Sequence, residues 1–568
     1  MKYTGARILV ETLIEQGVDT VFGYPGASVL HIYDELYKQK KRIRHILVSH
    51  EQHAAHAADG YARSSGRVGV CLATSGPGAT NLVTGIATAA IDSVPVVAIT
   101  GNVSVPLLGK DSFQEVDIAG ITMPVVKHNW IVRDVNELAE TIREAFIVAK
   151  AGRPGPVLVD IPGDITAARA CYVPGGIRGE RAERLSLRKE RRTFSEDDIE
   201  TAAALLAAAK RPALYAGGGV NISGASAELK KLAELLNAPV ALSLMGMGAF
   251  PHDHRLCTGM IGMHGTAASN KAVQKADLLV AIGARFSDRV TSRVEKFARS
   301  AKILHIDIDP AEINKNVQTC ASVTGDIKTV LEQLIRKLPA KMETGWNGEI
   351  DRWKAITPRD HHRKTALHPR FVIQETAKAL GGRAIVVTDV GQHQMWTAQF
   401  YPFNHPRSFL SSGGMGTMGF GLGAAAGAKT ANPGRPVVLF TGDGCFRMNC
   451  AEMATLVRYR LPVLIIVFNN GTLGMVRQWQ NFFFEGRCSE SDLDDRPPDF
   501  IKLAGAYGVS AYRAAGESSF REALERAGKD LADGRPALVE ALVDKDERVL
   551  PMVPGGKPID EQIFQEET

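Results

Sequence analysis

Asp443 stands alone between two glycines in LFTGDGCFRMN, residues 439 to 449, where a run of β-branched and aromatic residues stops. Such a run reads as a buried strand, and a lone carboxylate in a glycine turn at its end is placed to hold something. Downstream, PVLIIVF reads as a second apolar strand, followed by Asn469, Asn470 and Gly471. The separation, 470 − 443 = 27, is that of one helix plus one strand, which returns the chain to the same sheet edge. A carboxylate, an amide oxygen and loop carbonyls together suit a hard cation such as Mg²⁺ holding phosphate oxygens. The turn glycines and the positive end of the following helix would face the same phosphates. Either motif alone is only a turn; the pair at this spacing carries the reading.

The elements that must position these groups follow from periodicity. Residues 68 to 101 read as an apolar strand, a glycine turn, a helix of small residues and a second apolar strand opened by Pro95. The same βαβ pattern recurs at 212 to 243 and at 435 to 471. Uniformly apolar strands want both faces covered, so the fold class is α/β with three doubly wound parallel-sheet domains. Ligands of such sheets sit beyond the carboxyl ends of the strands. At 568 residues the chain is too long for one core. A charged run at 178 to 192 and a polar segment at 338 to 369 divide it, so the expected domains are 1–178, 193–340 and 366–568. His361, His362 and His368 in the second divider lack the spacing of metal ligands.

With 67 Lys and Arg against 62 Asp and Glu, the formal net charge of +5 gives no electrostatic case for nucleic acid. The one dense basic run is interleaved with Glu, as in a solvated linker. There is no long apolar run for a membrane and no signal-peptide h-region at the N-terminus. Seven scattered cysteines without CxxC fit free thiols in a reducing compartment. A cytoplasmic protein is expected, with no nucleic-acid or membrane partner.

GDG followed by NN at this distance resembles the thiamine-diphosphate motif, and Asp443, Asn470 and the carbonyl of Thr472 match its metal ligands. Along essentially the whole chain, VFGYPGA, TSGPGATNLVTGIATA, KDSFQEVDIAGIT, GARFSDRVT, GQHQMW, GGMGTMGFGLGAA and NNGTLGMVRQWQ resemble the acetohydroxyacid synthase (acetolactate synthase) family of catalytic subunits. SFQE, GARFSDR and QWQ are not demanded by thiamine chemistry in general. The resemblance implies a pyrimidine-binding, a central FAD-binding and a diphosphate-binding domain. It implies thiamine diphosphate, Mg²⁺ and FAD as cofactors.

Carried over by position, Glu51 matches the acid that activates the aminopyrimidine; it follows a strand and opens a helix of small residues. A helix-dipole role alone would be worth only about 0.3 to 1 kcal/mol there. His50, Glu51, His53 and His56 miss the zinc pattern HExxH by one residue. Gly391, Gln392 and His393 match diphosphate contacts, with Gly444 and Cys445 as backbone donors. Met418 matches the apolar prop beneath the cofactor, and the Gly416 carbonyl the acceptor for its 4′-amino group. Arg153, Gly217, Gly218, Gly219, Gly246, His264, Gly283, Arg285, Arg289, Asp307 and Asp326 fall where flavin contacts are expected, the flavin being structural. Trp479 matches the residue that shapes the acceptor pocket for an ethyl group, with Phe113, Met475 and Arg289 nearby and Gln114 close to the reacting centre.

The implied reaction decarboxylates pyruvate and transfers its two-carbon unit to a second pyruvate, giving 2-acetolactate. With 2-oxobutyrate as acceptor the product is 2-aceto-2-hydroxybutyrate, and the implied pathway is isoleucine and valine biosynthesis. Because Glu51 and Asp443 lie in different domains, the resemblance implies a homodimer or homotetramer with the site at the dimer interface; a separate regulatory small subunit is left open. Three positions depart from the family: Ala27 for a glycine, Gly163 for a lysine and Gly423 for a proline. None touches Glu51, Asp443 or Asn470. The rival readings are a flavin-free catabolic acetolactate synthase, against which Phe113, Gln114 and Glu115 speak, a pyruvate oxidase, and a silent paralogue of the same fold. The last would have little reason to keep Glu51, Asp443 and Asn470 together.

Overall fold

The computed structural model describes residues 2–175, 194–339, 344, 346–356, 366–493 and 496–564. The basic run at 178 to 192, His361 and His362 lie outside the described residues. Three six-stranded sheets carry the chain, and every strand pair within them is parallel. The expectation of three doubly wound α/β domains therefore holds.

The first sheet runs Arg44–Leu47, Thr20–Gly23, Gly69–Ala73, Val96–Asn102, Val157–Pro162, Asn129–Ile131 in spatial order. The third runs Phe409–Leu410, Ile385–Thr388, Val437–Gly442, Val463–Asn469, Ala537–Leu542, Ser510–Ala514. Counting strands from the first in each sheet, both have the order 2-1-3-4-6-5. The central sheet, built from Pro212–Ala216 onward, has the order 3-2-1-4-5-6. The βαβ pattern repeats three times, yet only the outer two units are topological copies. In each sheet the glycine turns singled out above leave strands flanking the point where the order reverses, the place where such folds open a crevice. A small antiparallel pair, Lys2–Thr4 with Arg169–Cys171, ties the chain start to the first domain.

The first and third domains meet through two helices of small residues, Glu51–Ser65 and Gly421–Ala431. A Cβ built on Gly427 would stand 1.9 Å from the Ala57 carbonyl oxygen, and one on Gly60 would stand 2.1 Å from that of Ala424. The backbones touch, so the helix that carries Glu51 is set directly on the third domain. Within the polar segment at 338 to 369, Asn347–Lys354 forms a helix. Trp346 and Trp353 are buried against the central domain, and the Trp346 indole N–H donates to the Pro212 carbonyl at 2.9 Å. Among the described residues no helix is long and apolar enough to cross a membrane, and all seven cysteines are free.

Candidate active site

Gly442 ends its strand and Asp443 opens the short helix Asp443–Asn449. The side chain is buried, and its Oδ2 has no hydrogen-bond partner. Burial pushes the carboxyl up to about 7, against the opposing pull of the Gly444 and Gly471 backbone and the Arg447 charge. The adjacent strand, Val463–Asn469, delivers Asn470, Gly471 and Thr472 beside it. Asn470 is loosely held: its Oδ1 accepts from the Thr472 N–H at 3.3 Å and its Nδ2 donates to Gln392 at 3.4 Å. An orphaned buried carboxylate oxygen is costly, and a cation ligated by oxygens would satisfy it. The chain between Asp443 and Asn470 is not one helix plus a strand. It holds Asp443–Asn449, a 3₁₀ turn at Cys450–Glu452 and Met453–Arg458, because Asn449 leaves helical dihedrals (φ −134°) and sends its amide toward Asp389.

Gly391, with φ 150°, introduces the helix Gln392–Phe400. His393 packs against the Asp443 turn: a Cβ on Gly442 would stand 3.0 Å from its Nδ1. Its Nε2 has no partner, and burial pulls the ring down to about 3, so it is neutral. The Gln392 side chain is committed within the protein, donating to Gln478 at 3.0 Å and to the Glu547 carbonyl at 2.8 Å. The Cys445 thiol donates to the Val390 carbonyl at 3.1 Å, and burial pushes its pKa well above the ordinary value. It is no nucleophile. A side chain on Gly444 would meet Leu473 at 2.8 Å and the Met418 methyl at 3.8 Å, which places Met418 over the turn.

Asp389 escaped the sequence reading. It is fully buried and accepts from the Gly421 N–H at 2.8 Å and the Thr441 hydroxyl at 2.7 Å, bracing two strand ends against the glycine helix. Its only signal in the sequence is a carboxylate closing the apolar run IVVTD, two residues before Gly391.

Glu51 is the first residue of its helix, and its Oε2 accepts from the Asn81 amide at 2.9 Å. Gly78 lets the chain approach, since a Cβ there would sit 3.2 Å from Glu51 Oε1. The neighbouring histidines diverge. His50 accepts from the Gln52 N–H, His53 pairs with Glu452 at 3.1 Å, and His56 is buried against Phe420. Gln114, held at φ 58°, presses on the same glycine loop: a Cβ on Gly76 would stand 2.9 Å from its carbonyl oxygen. Phe113 is 88% exposed.

A separate cavity of about 810 Å³ opens where all three domains meet. Arg153, Gly217, Gly218, Gly219, His264, Gly283, Arg285, Arg289, Asp307 and Asp326 line it, and so do Gly391, Gly416, Met475 and Trp479. Gly246 does not. It packs behind the wall, where a Cβ would stand 2.4 Å from the Ala216 carbonyl oxygen. Gly217 and Gly219 are required by close approach to Gly283, at 2.1 and 2.7 Å from the positions their Cβ atoms would take. Polar atoms without partners, His264 Nδ1 and Glu312 Oε2, belong to cavity-lining residues. Burial pushes the Asp307 carboxyl up to about 6, and Arg153 pairs with Glu312 at 2.7 Å. The mixture of acids, three arginines and glycine turns fits an extended dinucleotide. Glu51, Gln114, Phe113, Asp443, Asn470 and Met418 are not among the lining residues, so one chain does not gather every candidate into one space.

Three family models match the chain. Residues 3–121 match the N-terminal TPP binding domain of thiamine pyrophosphate enzymes, 199–334 the central domain and 389–541 the C-terminal TPP binding domain. The acetolactate synthase large subunit of Mycobacterium tuberculosis is 46% identical over 98% of this chain and 91% of its own. The corresponding subunits of Corynebacterium glutamicum (47%, covering 98% and 89%) and Pyropia yezoensis (45%, covering 98% and 94%) agree. The chain belongs to the acetolactate synthase large-subunit family of thiamine pyrophosphate enzymes. The two outer units, with their shared strand order, are its thiamine-diphosphate-binding domains.

Against that family the three departures have different surroundings. Ala27 is exposed in the 3₁₀ turn Ala27–Val29. Gly163 has room for a side chain, the nearest atom to a Cβ being the Asn102 oxygen at 3.6 Å. Gly423 has almost none, with His53 and His56 atoms at 3.0 Å. It occupies the first turn of its helix, where a proline would cost no helical hydrogen bond.

Proposed function

We propose that the chain is the catalytic subunit of an acetohydroxyacid synthase. It condenses two pyruvates to 2-acetolactate and carbon dioxide, or pyruvate with 2-oxobutyrate to 2-aceto-2-hydroxybutyrate, in branched-chain amino acid biosynthesis. The observation that carries this beyond family membership is the orphaned Asp443 Oδ2 beside Asn470 and Thr472, on a chain matching acetolactate synthases from end to end. Asp443, Asn470 and the Thr472 carbonyl would hold Mg²⁺, and Gly391, His393, Gly444 and Cys445 would contact the diphosphate. When bound, thiamine diphosphate supplies an acidic ring carbon that adds to a keto carbon, and a ring that accepts the electron pair left as carbon dioxide departs.

The protein's part is to hold protons, orient and exclude water. Glu51 holds the proton that activates the cofactor, and Asn81 aims its carboxylate. Met418 and Gly416 orient from the opposite domain. Trp479, tilted 57° against Phe483 with centroids 5.1 Å apart, closes one wall of the acceptor space with Met475 and Arg289. Gln114 and Phe113 complete the site from a second copy of the chain, which explains an exposed phenylalanine. FAD would fill the cavity of about 810 Å³, and a homodimer or homotetramer in the cytoplasm is the working unit.

Product analysis with pyruvate plus 2-oxobutyrate, in thiamine diphosphate, Mg²⁺ and FAD, tests the reading. Both acetohydroxy acids should form with the wild type and neither with Glu51→Gln. Trp479→Leu should keep acetolactate formation while losing preference for 2-oxobutyrate, a methylene being worth about 1 to 3 kcal/mol in such a pocket. No carboligation by the wild type would overturn the reading, and unchanged product ratios would sink the role of Trp479.

A further inference from the structure

Asp92 is the C-cap of the helix Val83–Ile91, and its side chain is 1% exposed where it borders the cavity. Its Oδ1 accepts from the Gly414 N–H at 2.9 Å and its Oδ2 from the Gly413 N–H at 3.0 Å. Those glycines lie in the loop from Ser411 to Met418 that presents Gly416. Oδ2 also accepts from Arg63 at 3.1 Å. Arg63 comes from the helix that begins with Glu51, is held by Asp59 at 3.0 Å, and donates to the Ser411 carbonyl at 3.0 Å. One end of the loop is thus gripped by a buried guanidinium and its middle by a buried carboxylate. Charge-assisted bonds of this kind are about twice as strong as neutral ones.

The same two glycines also abut the central domain. A Cβ on Gly413 would stand 2.3 Å from Met245 Sδ, and one on Gly414 would stand 2.7 Å from Arg285 Nη2. Met245 and Arg285 both line the cavity. The two glycines line the cavity themselves, bonded through their N–H groups to Asp92 and set against Met245 and Arg285 with no side chain to cushion them. Whatever fills the cavity and fixes Met245, Arg285 and Asp92 also fixes the loop.

We propose that Asp92 is a positioning residue that locks the loop from Ser411 to Met418, of which residues 412 to 416 line the dinucleotide cavity, in the shape an occupied cavity favours, and so sets Gly416 and Met418 on the thiamine side. This rests on the functional reading above. A flavin that undergoes no net redox change then acts by holding one loop in its working shape. Two ligands that favour the same loop conformation must strengthen each other's binding.

The test uses full-length, cofactor-free protein, wild type and Asp92→Asn. Hydrogen exchange of peptides covering 411 to 418 is read with and without FAD, and thiamine diphosphate with Mg²⁺ is titrated calorimetrically in both states. In the wild type FAD should slow exchange in these peptides at least about fivefold and tighten thiamine diphosphate binding about tenfold. In Asp92→Asn FAD should still bind, with the tightening reduced to less than about twofold. Equal tightening in the variant, or no effect of FAD on exchange in the wild type, overturns the proposal. Should Asp92→Asn fail to fold, Asp92→Glu, which keeps the charge and displaces it by one methylene, is read in the same way: tightening below about twofold supports the proposal and full tightening overturns it. A carboligation assay on the same wild-type sample separates the two ideas, since lack of product would remove the functional reading while the binding coupling is still measured.

Discussion

At the residue scale, the Asp443 oxygen proposed to hold Mg²⁺ weakens the protein that lacks it. A buried carboxylate oxygen without a partner costs stability until something binds it. Asp443→Asn keeps the shape and removes the charge, so the cofactor-free variant should melt a few degrees higher than wild type. It should also lose the rise in melting temperature that Mg²⁺ with thiamine diphosphate gives the wild type. A lower melting point, or a retained cofactor shift, would contradict the assignment. His45 has the opposite character: burial, helped by the Arg458 charge, pulls it down to about 4. The unfolded chain takes up that proton near 6.5, so the stability His45 contributes is complete above pH 6.5 and lost as pH falls toward 4. The full span is on the order of 3 kcal/mol. Urea midpoints of His45→Phe between pH 7 and 5 should fall less steeply than those of the wild type; parallel curves would refute this.

At the scale of elements, the contact between Glu51–Ser65 and Gly421–Ala431 decides where Glu51 stands. Because Gly427 touches the Ala57 backbone directly, Gly427→Ala must push two helices apart rather than rotate a side chain. A loss of at least about 3 kcal/mol, seen as a fall of several degrees in melting temperature, is expected. Gly434→Ala, with open space around the new methyl, serves as the control and should be close to neutral. Equal behaviour of the two variants would show that the helices have slack. The small-residue character of both helices was plain in the sequence, whereas their mutual contact was not, since no local pattern names a partner hundreds of residues away.

At the scale of the whole molecule, the candidates divide between two places on one chain. Glu51, Asn81, Gly76 and Gln114 cluster on the first domain, and none of them lines the cavity that Trp479, Met475 and Gly416 share. If a working site combines Glu51 of one copy with Asp443 of another, inactive Glu51→Gln and Asp443→Asn proteins should complement. Co-assembled in equal amounts, half the dimers are hybrids with one intact site each, which gives about a quarter of wild-type activity. No recovery would place Glu51 and Asp443 of a site on the same chain.

The sequence by itself determined the fold class and the parallel sheets, and it named the residue types proposed for the metal and acid sites. Apolar runs, glycine turns and the spacing of GDG to NN are local signals that depend on backbone geometry and burial alone. It also settled the family, because SFQE, GARFSDR and QWQ are specific strings. Tertiary structure alone decided that the central sheet is wound differently from its neighbours. It also decided that Gly246 packs behind the cavity wall, that the Gln392 side chain is spent on Gln478 and Glu547, and that Asp389 and Asp92 brace the loops around the site. Each of those depends on which distant backbone arrives within hydrogen-bond reach, and approach between segments hundreds of residues apart leaves no periodicity to read.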